Sequence, residues 1–206
     1  MSAISLSSNA EAALAAYASL TPGATSLATN LAALGAPPGV GMSQIQAEEF
    51  AIRFRTVVAQ FNDTAAEGGT GTGLSVTVFK DATGNLTLAI RGTDRLAPGV
   101  GSDLPAGTDI LGKGAAYDQI VALSNWWRRV SSPAGTMVAQ HRIATYPGDG
   151  VPAGAVALDI GATVRALEDA PAVAATGTLV SAIASERNQR LDVTGHSLGA
   201  EKATQM

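Results

Sequence analysis

Residues 191–200 read Leu-Asp-Val-Thr-Gly-His-Ser-Leu-Gly-Ala, and this stretch decides the fold that the sequence predicts. Leu191 and Val193 alternate with polar residues, which is typical of a β-strand. The pentapeptide that follows fits the Gly-x-Ser-x-Gly pattern of a tight turn between a strand and a helix. In that pattern the glycines let the backbone pack closely and leave the serine hydroxyl exposed. Ser197 is therefore a candidate nucleophile.

The composition of the whole chain limits the classes of protein to which it can belong. A length of 206 residues with 46% hydrophobic residues is enough for one domain, or a large piece of one, with a buried core. The net charge of −4 comes without a basic run, so we predict no nucleic-acid partner. The absence of cysteine excludes a disulfide framework, a thiol nucleophile and cysteine-ligated zinc. No stretch approaches the roughly 18 apolar residues of a membrane span, so we predict no transmembrane segment.

The pentapeptide alone is a weak signal in a chain with 23 glycines, so the preceding elements must support it. Ser43 followed by Gln46 indicates a capping box that opens a helix, and apolar residues continue at helical spacing as far as Phe61. Residues 74–79 and 86–90 alternate around a turn at residues 81–85, which predicts a β-hairpin.

The remaining pattern completes the predicted order of elements. It predicts an amphipathic helix at 113–130, a strand near 137–143, a loosely helical Ala-rich stretch before 176, and a helix at 178–187. Residues 1–40 form an Ala-, Ser- and Gly-rich N-terminal segment. Residues 41–206 form the second part of the chain and carry these elements.

Three features occur together in that second part. They are a strand ending in Ile90-Arg91-Gly92-Thr93, a helix after a loop with Asp109, and the turn at 193–199 about a hundred residues later. This combination resembles the lipase class 3 branch of the α/β-hydrolase superfamily, in particular bacterial lipases and esterases secreted without an N-terminal signal. The resemblance spans residues 42–200 and implies that residues 41–206 are the N-terminal part of an α/β-hydrolase (lipase-like) domain. It implies an α/β fold with a mainly parallel sheet of the α/β-hydrolase type and flanking helices.

The resemblance also implies roles for individual residues. Ser197 would attack a lipid or short-chain ester and form an acyl-enzyme. The backbone N–H of Leu198 would be one oxyanion donor and Thr93 would supply the other. His196 occupies the variable position of the turn and is not expected to be the base. The partners implied are the ester or lipid substrate and a lipid–water interface, with no metal and no cofactor.

The chain departs from the family pattern after the serine. In α/β-hydrolases the triad acid and histidine follow the serine, but residues 198–206 contain no histidine, and Glu201 is too close to Ser197 in sequence. We therefore expect the later strands and both triad partners to be missing, and the 206 residues to be marginally stable and inactive. His141 is the alternative base, since geometry and not chain order defines a triad. We expect a secreted bacterial protein whose C-terminal export signal would belong to the missing part, or otherwise a cytoplasmic protein.

Two other classes of function are compatible with the sequence. A non-catalytic relative could bind lipid or a protein partner through the loop at 94–113 and Trp126 or Trp127. A structural protein of Ala/Gly-rich composition would make the serine turn coincidental. The loop also holds Asp94, Asp103 and Asp109, but their irregular spacing favours solvated carboxylates over a metal site.

Overall fold

The computed structural model describes residues 3–23, 26–33, 42–63, 72–91, 116–147, 150–158, 163–183 and 190–195. The chain divides into two compact units. The first unit consists of residues 1–103 and 181–206, and the second unit of residues 104–180. The described elements are α1 (Ala3–Ala15), α2 (Leu27–Ala33), α3 (Gln44–Arg53), β1 (Phe54–Asn62), β2 (Ser75–Asp81), β3 (Leu86–Ile90), α4 (Tyr117–Ser131), β4 (Met137–Pro147), β5 (Val156–Ala157), β6 (Thr163–Ala174), α5 (Thr178–Ile183) and β7 (Leu191–Gly195).

The first unit contains a four-stranded sheet in the order β1-β2-β3-β7. The predicted hairpin is confirmed as β2 and β3, which pair antiparallel from Val76 opposite Ile90 to Lys80 opposite Leu86. Its turn is held by Asp81, whose Oδ1 accepts hydrogen bonds from the backbone N–H groups of Thr83 at 2.8 Å and Asn85 at 2.9 Å. The predicted strand before the serine turn is confirmed as β7.

The predicted mainly parallel sheet of the α/β-hydrolase type is wrong. Strands β1, β2 and β3 are antiparallel to their sequence neighbours, and the parallel pairing in this sheet is that of β3 with β7. The strands of the second unit are all antiparallel. For β2 and β3 the physical reason is their connection, because parallel neighbours need a long crossover and the four residues 82–85 can only return the chain antiparallel.

A cluster of aromatic and small side chains forms the core on one side of the sheet. The rings of Phe50 and Phe54 are stacked with centroids 4.5 Å apart, and Phe79 meets Phe50 edge-on at 5.2 Å. Ala12 and Ala15 of α1 are fully buried in the same cluster. These small side chains let the backbone of α1 approach the aromatic residues closely, which is how a helix of low amphipathicity is packed.

Helix α3 begins as predicted and ends earlier. Ser43 caps it with a complete capping box, in which Ser43 Oγ accepts from the Gln46 N–H and Gln46 Oε1 accepts from the Ser43 N–H. The prediction that the helix continues to Phe61 is wrong, because residues 54–62 form β1 and pair with β2. Thr56, Val57 and Val58 are β-branched and favour a pleated, half-buried strand.

The second unit pairs one helix with an antiparallel sheet in the order β4-β6-β5. The helix predicted at 113–130 is confirmed as α4, and the strand near 137–143 is confirmed as the longer β4. The Ala-rich stretch predicted to be helical is instead β6, in which Val164 and Ala166 are buried at a period of two. Its pairing with β4, from Pro147 opposite Thr163 to Met137 opposite Ala174, outweighs the helix propensity of alanine.

Candidate functional site

The sheet edge at which β3 and β7 end is the candidate site. The two strands run parallel and in register from Leu86 opposite Leu191 to Ile90 opposite Gly195. Their carboxyl ends therefore coincide. On its other side, β3 continues its pairing with β2 one residue further, since the N–H of Arg91 donates to the carbonyl oxygen of Ser75 at 2.9 Å. In sheets with parallel strands such an edge is where functional loops collect.

The residues predicted to do the chemistry follow directly after this edge. Ser197, Leu198 and Thr93 lie outside the described residues, as does His196. The described chain reaches Gly195 on β7 and Arg91 after β3. The prediction that a strand precedes the serine turn and that another strand precedes Thr93 is thus confirmed as far as Gly195 and Arg91.

A buried carboxylate lies at the same edge, where β1 ends. Asp63 is 1% exposed, and its Oδ2 accepts a hydrogen bond from the Thr72 hydroxyl. The N–H of Gly73 donates to the Asp63 carbonyl oxygen at 3.0 Å, and Arg91 Nη2 donates to the Gly73 carbonyl oxygen at 3.3 Å. Sequence reasoning missed Asp63, because the helix predicted up to Phe61 hid the strand end that Asp63 follows. The β-branched run at 56–58 was the signal that could have found it.

His141, the alternative base, lies on β4 of the second unit and has partners at both ring nitrogens. Nε2 is 2.9 Å from Arg128 Nη1, and Nδ1 is 3.3 Å from Asp169 Oδ1. A guanidinium group can only donate, so Nε2 accepts and the proton sits on Nδ1, facing the carboxylate. The side-chain amide of Asn125 also exchanges two hydrogen bonds with the His141 backbone, at 2.7 and 2.9 Å. These contacts give His141 a structural role between α4 and β4.

The tryptophans of the alternative binding hypothesis lie on α4. Trp126 is 5% exposed and Trp127 is half-buried, as expected from their adjacent positions on a helix. Their ring centroids are 6.3 Å apart and tilted by 55°. The loop at 94–113 that would act with them lies outside the described residues.

A concave surface is present at the opposite edge of the first unit's sheet. A groove of about 340 Å³ lies at the amino ends of β3 and β7, lined by residues that include Arg53, Asn85 and Arg190. Both arginines of the groove form ion pairs: Arg190 pairs with Asp192 at 2.6 Å, and Arg53 pairs with Glu11. Because the groove lies at the amino ends of β3 and β7, the length of these strands separates it from the candidate edge.

No group of three or more His, Asp or Glu side chains that could hold a metal ion occurs within the described ranges. Asp94, Asp103 and Asp109 fall outside them. None of the described helices is long and apolar enough to cross a membrane. Comparisons with protein-family models, with curated proteins and with solved structures found no match to this chain.

Proposed function

We propose that this protein is a serine carboxylic-ester hydrolase that acts on lipid or short-chain esters through an acyl-enzyme on Ser197. The observation that carries the proposal is the parallel pairing that ends with Ile90 opposite Gly195. Neighbouring strands lie about 4.8 Å apart, and two residues of chain span at most about 7 Å. Ser197 follows two residues after Gly195, the end of β7, and Thr93 follows two residues after Arg91, the first residue beyond β3. Neighbouring strand ends of one edge therefore lead to both residues.

Acyl transfer requires this kind of proximity. Ser197 Oγ attacks the ester carbonyl carbon, and the carbonyl oxygen becomes an oxyanion that the backbone N–H of Leu198 and a donor from Thr93 stabilise. The bond to the alcohol breaks, the alcohol leaves with the serine proton, and water hydrolyses the acyl-serine. Nucleophile and oxyanion donors must surround one reacting carbonyl, at about 3 Å from it.

The expected rate of acylation depends on whether either histidine of the chain can act as the general base. The Nε2 lone pair of His141 already accepts the hydrogen bond of Arg128, so His141 is not assigned as the base. His196 is adjacent to Ser197 in the turn and is not assigned either. Since no histidine is assigned as the base, we expect the 206 residues to be inactive toward ordinary esters. Only an activated ester is expected to acylate Ser197, slowly and with the support of the oxyanion donors.

The experiment is hydrolysis of p-nitrophenyl acetate, whose leaving group departs without a general acid. We expect p-nitrophenolate release by the native chain to exceed that of Ser197→Ala at least about tenfold. Peptide mapping by mass spectrometry should find the acetyl group on Ser197. Ser19→Ala, which removes an exposed serine of the first unit, controls for nonspecific acetylation and should behave as native.

Equal rates for the native chain and Ser197→Ala, with no acetyl group on Ser197, would reject the hydrolase. That outcome would favour the non-catalytic alternative, a protein that binds lipid or a protein partner.

A further inference from the structure

We propose that Asp63, Thr72 and Arg91 are positioning residues for acyl transfer at Ser197, an inference that rests on the function proposed above. The three residues lie at the sheet edge at which β1, β3 and β7 end. Their role is to fix the backbone where the chain leaves β3, and none of them is assigned a contact with substrate.

The network starts at Asp63. A carboxylate that is 1% exposed must be compensated by hydrogen bonds, since burial of an ionised group is otherwise very costly. The Thr72 hydroxyl supplies one of these bonds to Oδ2. The backbone of Asp63 also donates to the Leu74 carbonyl oxygen at 2.7 Å and accepts from the Gly73 N–H at 3.0 Å. Asp63 thus holds the segment 72–74 against the end of β1 through both its side chain and its backbone.

Gly73 carries the constraint from Asp63 to β3. Its φ of 75° lies in the left-handed region, which orients its N–H toward Asp63 and its carbonyl oxygen toward Arg91. Arg91 Nη2 donates to that carbonyl oxygen at 3.3 Å, while the Arg91 N–H donates to Ser75 at 2.9 Å. The side-chain bond therefore ties Arg91 to the segment that Asp63 fixes, and the main-chain bond ties it to Ser75, which follows that segment.

The position of Arg91 matters because Thr93, the proposed oxyanion donor, follows two residues later. A misplacement of about 1 Å at a catalytic group can cost about a hundredfold in rate. Loosening the Asp63–Thr72 bond is therefore expected to lower the rate of acylation and leave the binding of substrate unchanged.

The test is the saturation kinetics of p-nitrophenyl acetate hydrolysis in matched variants. Asp63→Asn and Thr72→Val should lower kcat about tenfold with KM within about twofold of native. Thr72→Ser keeps the hydroxyl and should restore native kcat. The matched control is Asp81→Asn, since Asp81 also accepts from a threonine hydroxyl, that of Thr83 at 2.8 Å, but at the opposite edge of the same sheet. We expect Asp81→Asn to keep native kcat.

The outcomes separate this inference from the proposed function. No release that depends on Ser197 in the native chain would reject both. An active native chain in which Asp63→Asn and Thr72→Val keep native kcat would overturn the positioning role alone, as would an equal loss in Asp81→Asn. If Asp63→Asn does not fold, the comparison of the near-isosteric Thr72→Val with Thr72→Ser decides the question.

Discussion

At the scale of single residues, Gly177 in the second unit combines a left-handed backbone with a close neighbour. Its φ is 68°, and a Cβ added to it would lie 2.7 Å from the Ala134 backbone nitrogen and 2.9 Å from the Ala134 Cβ. Gly135 has a similar φ of 82° with nothing within 4 Å of an added Cβ. The pair thus separates the cost of the backbone conformation from the cost of the close approach.

We expect Gly177→Ala to lower the free energy of unfolding by about 3 kcal/mol, and Gly135→Ala by about 1 kcal/mol, because only the first adds an overlap to the backbone strain. Urea denaturation of the two variants and the native chain would measure the difference. Equal losses would show that the backbone near Ala134 moves aside at no cost.

Also at this scale, Asp63 shows why the candidate site was only partly predictable. Ser197 was predicted because glycines and a strand pattern surround it in sequence, and Thr93 and Leu198 were predicted because the resemblance implies their roles. Asp63 has no such local signature, since its burial comes from Thr72 and the segment 72–74. A contact formed by distant residues leaves no periodic pattern around either of them.

At the scale of elements, the ribbon of β4 and β6 carries a polar cluster on one face. Glu168 accepts hydrogen bonds from Arg142 Nε at 2.9 Å and from the Tyr146 hydroxyl at 2.7 Å. The hydrogen bond to the carboxylate raises the pKa of Tyr146 above its ordinary value of 10.0, because the neutral phenol donates and the phenolate cannot. The raised pKa means that this contact stabilises the fold below pH 10 and is lost as the pH rises through the shifted pKa.

We expect Glu168→Gln to move the pKa of Tyr146 down toward 10.0, as measured by ultraviolet titration of phenolate with Tyr146→Phe used to identify its signal. Glu48→Gln on α3 removes the same charge without contacting Tyr146 and should leave its pKa unchanged. An unchanged titration in Glu168→Gln would mean that the contact does not persist in solution.

Elements were predictable from the sequence where local chemistry decides them. The Ser43 cap, the hairpin turn at Asp81 and the strand before the serine turn all carry their own signals. Residues 54–61 were misread because Phe54, Val57, Val58 and Phe61 repeat at a spacing that suits a helix face. These residues form a strand because they pair with β2, and that pairing is a tertiary interaction that the local sequence does not show.

At the scale of the whole molecule, the long separation between β3 and β7 has a kinetic consequence. Leu88 pairs with Val78 across the hairpin and with Val193 about a hundred positions later in the chain. A contact between residues far apart in sequence requires a large loss of chain entropy before it stabilises the chain. The hairpin, which needs only a short loop, is therefore expected to form first.

We therefore expect Val78→Ala mainly to slow folding and Val193→Ala mainly to speed unfolding, as measured in stopped-flow chevron plots. Both substitutions remove the same atoms, which makes each the control for the other. A slower folding rate in Val193→Ala would place the β3–β7 pairing in the folding nucleus.

The direction of strands was the property of the whole molecule that the sequence did not reveal. The order of motifs from Arg91 to Ser197 resembled a mainly parallel fold, but motif order constrains only the ends of β3 and β7. Strands β2 and β3 are antiparallel because a four-residue connection returns the chain, and β1 pairs antiparallel with β2 along nearly its whole length.

The same architecture gives the chain a place where length can vary during evolution. Residues 104–180, the second unit, are inserted between the strands that end at Ile90 and Gly195, and none of the described strands within that segment joins the four-stranded sheet. Doubling the length of a flexible connection costs only about 0.6 kcal/mol of closure entropy. We therefore expect this chain to tolerate a change of length in the connections around this segment, while β3 and β7 keep their register.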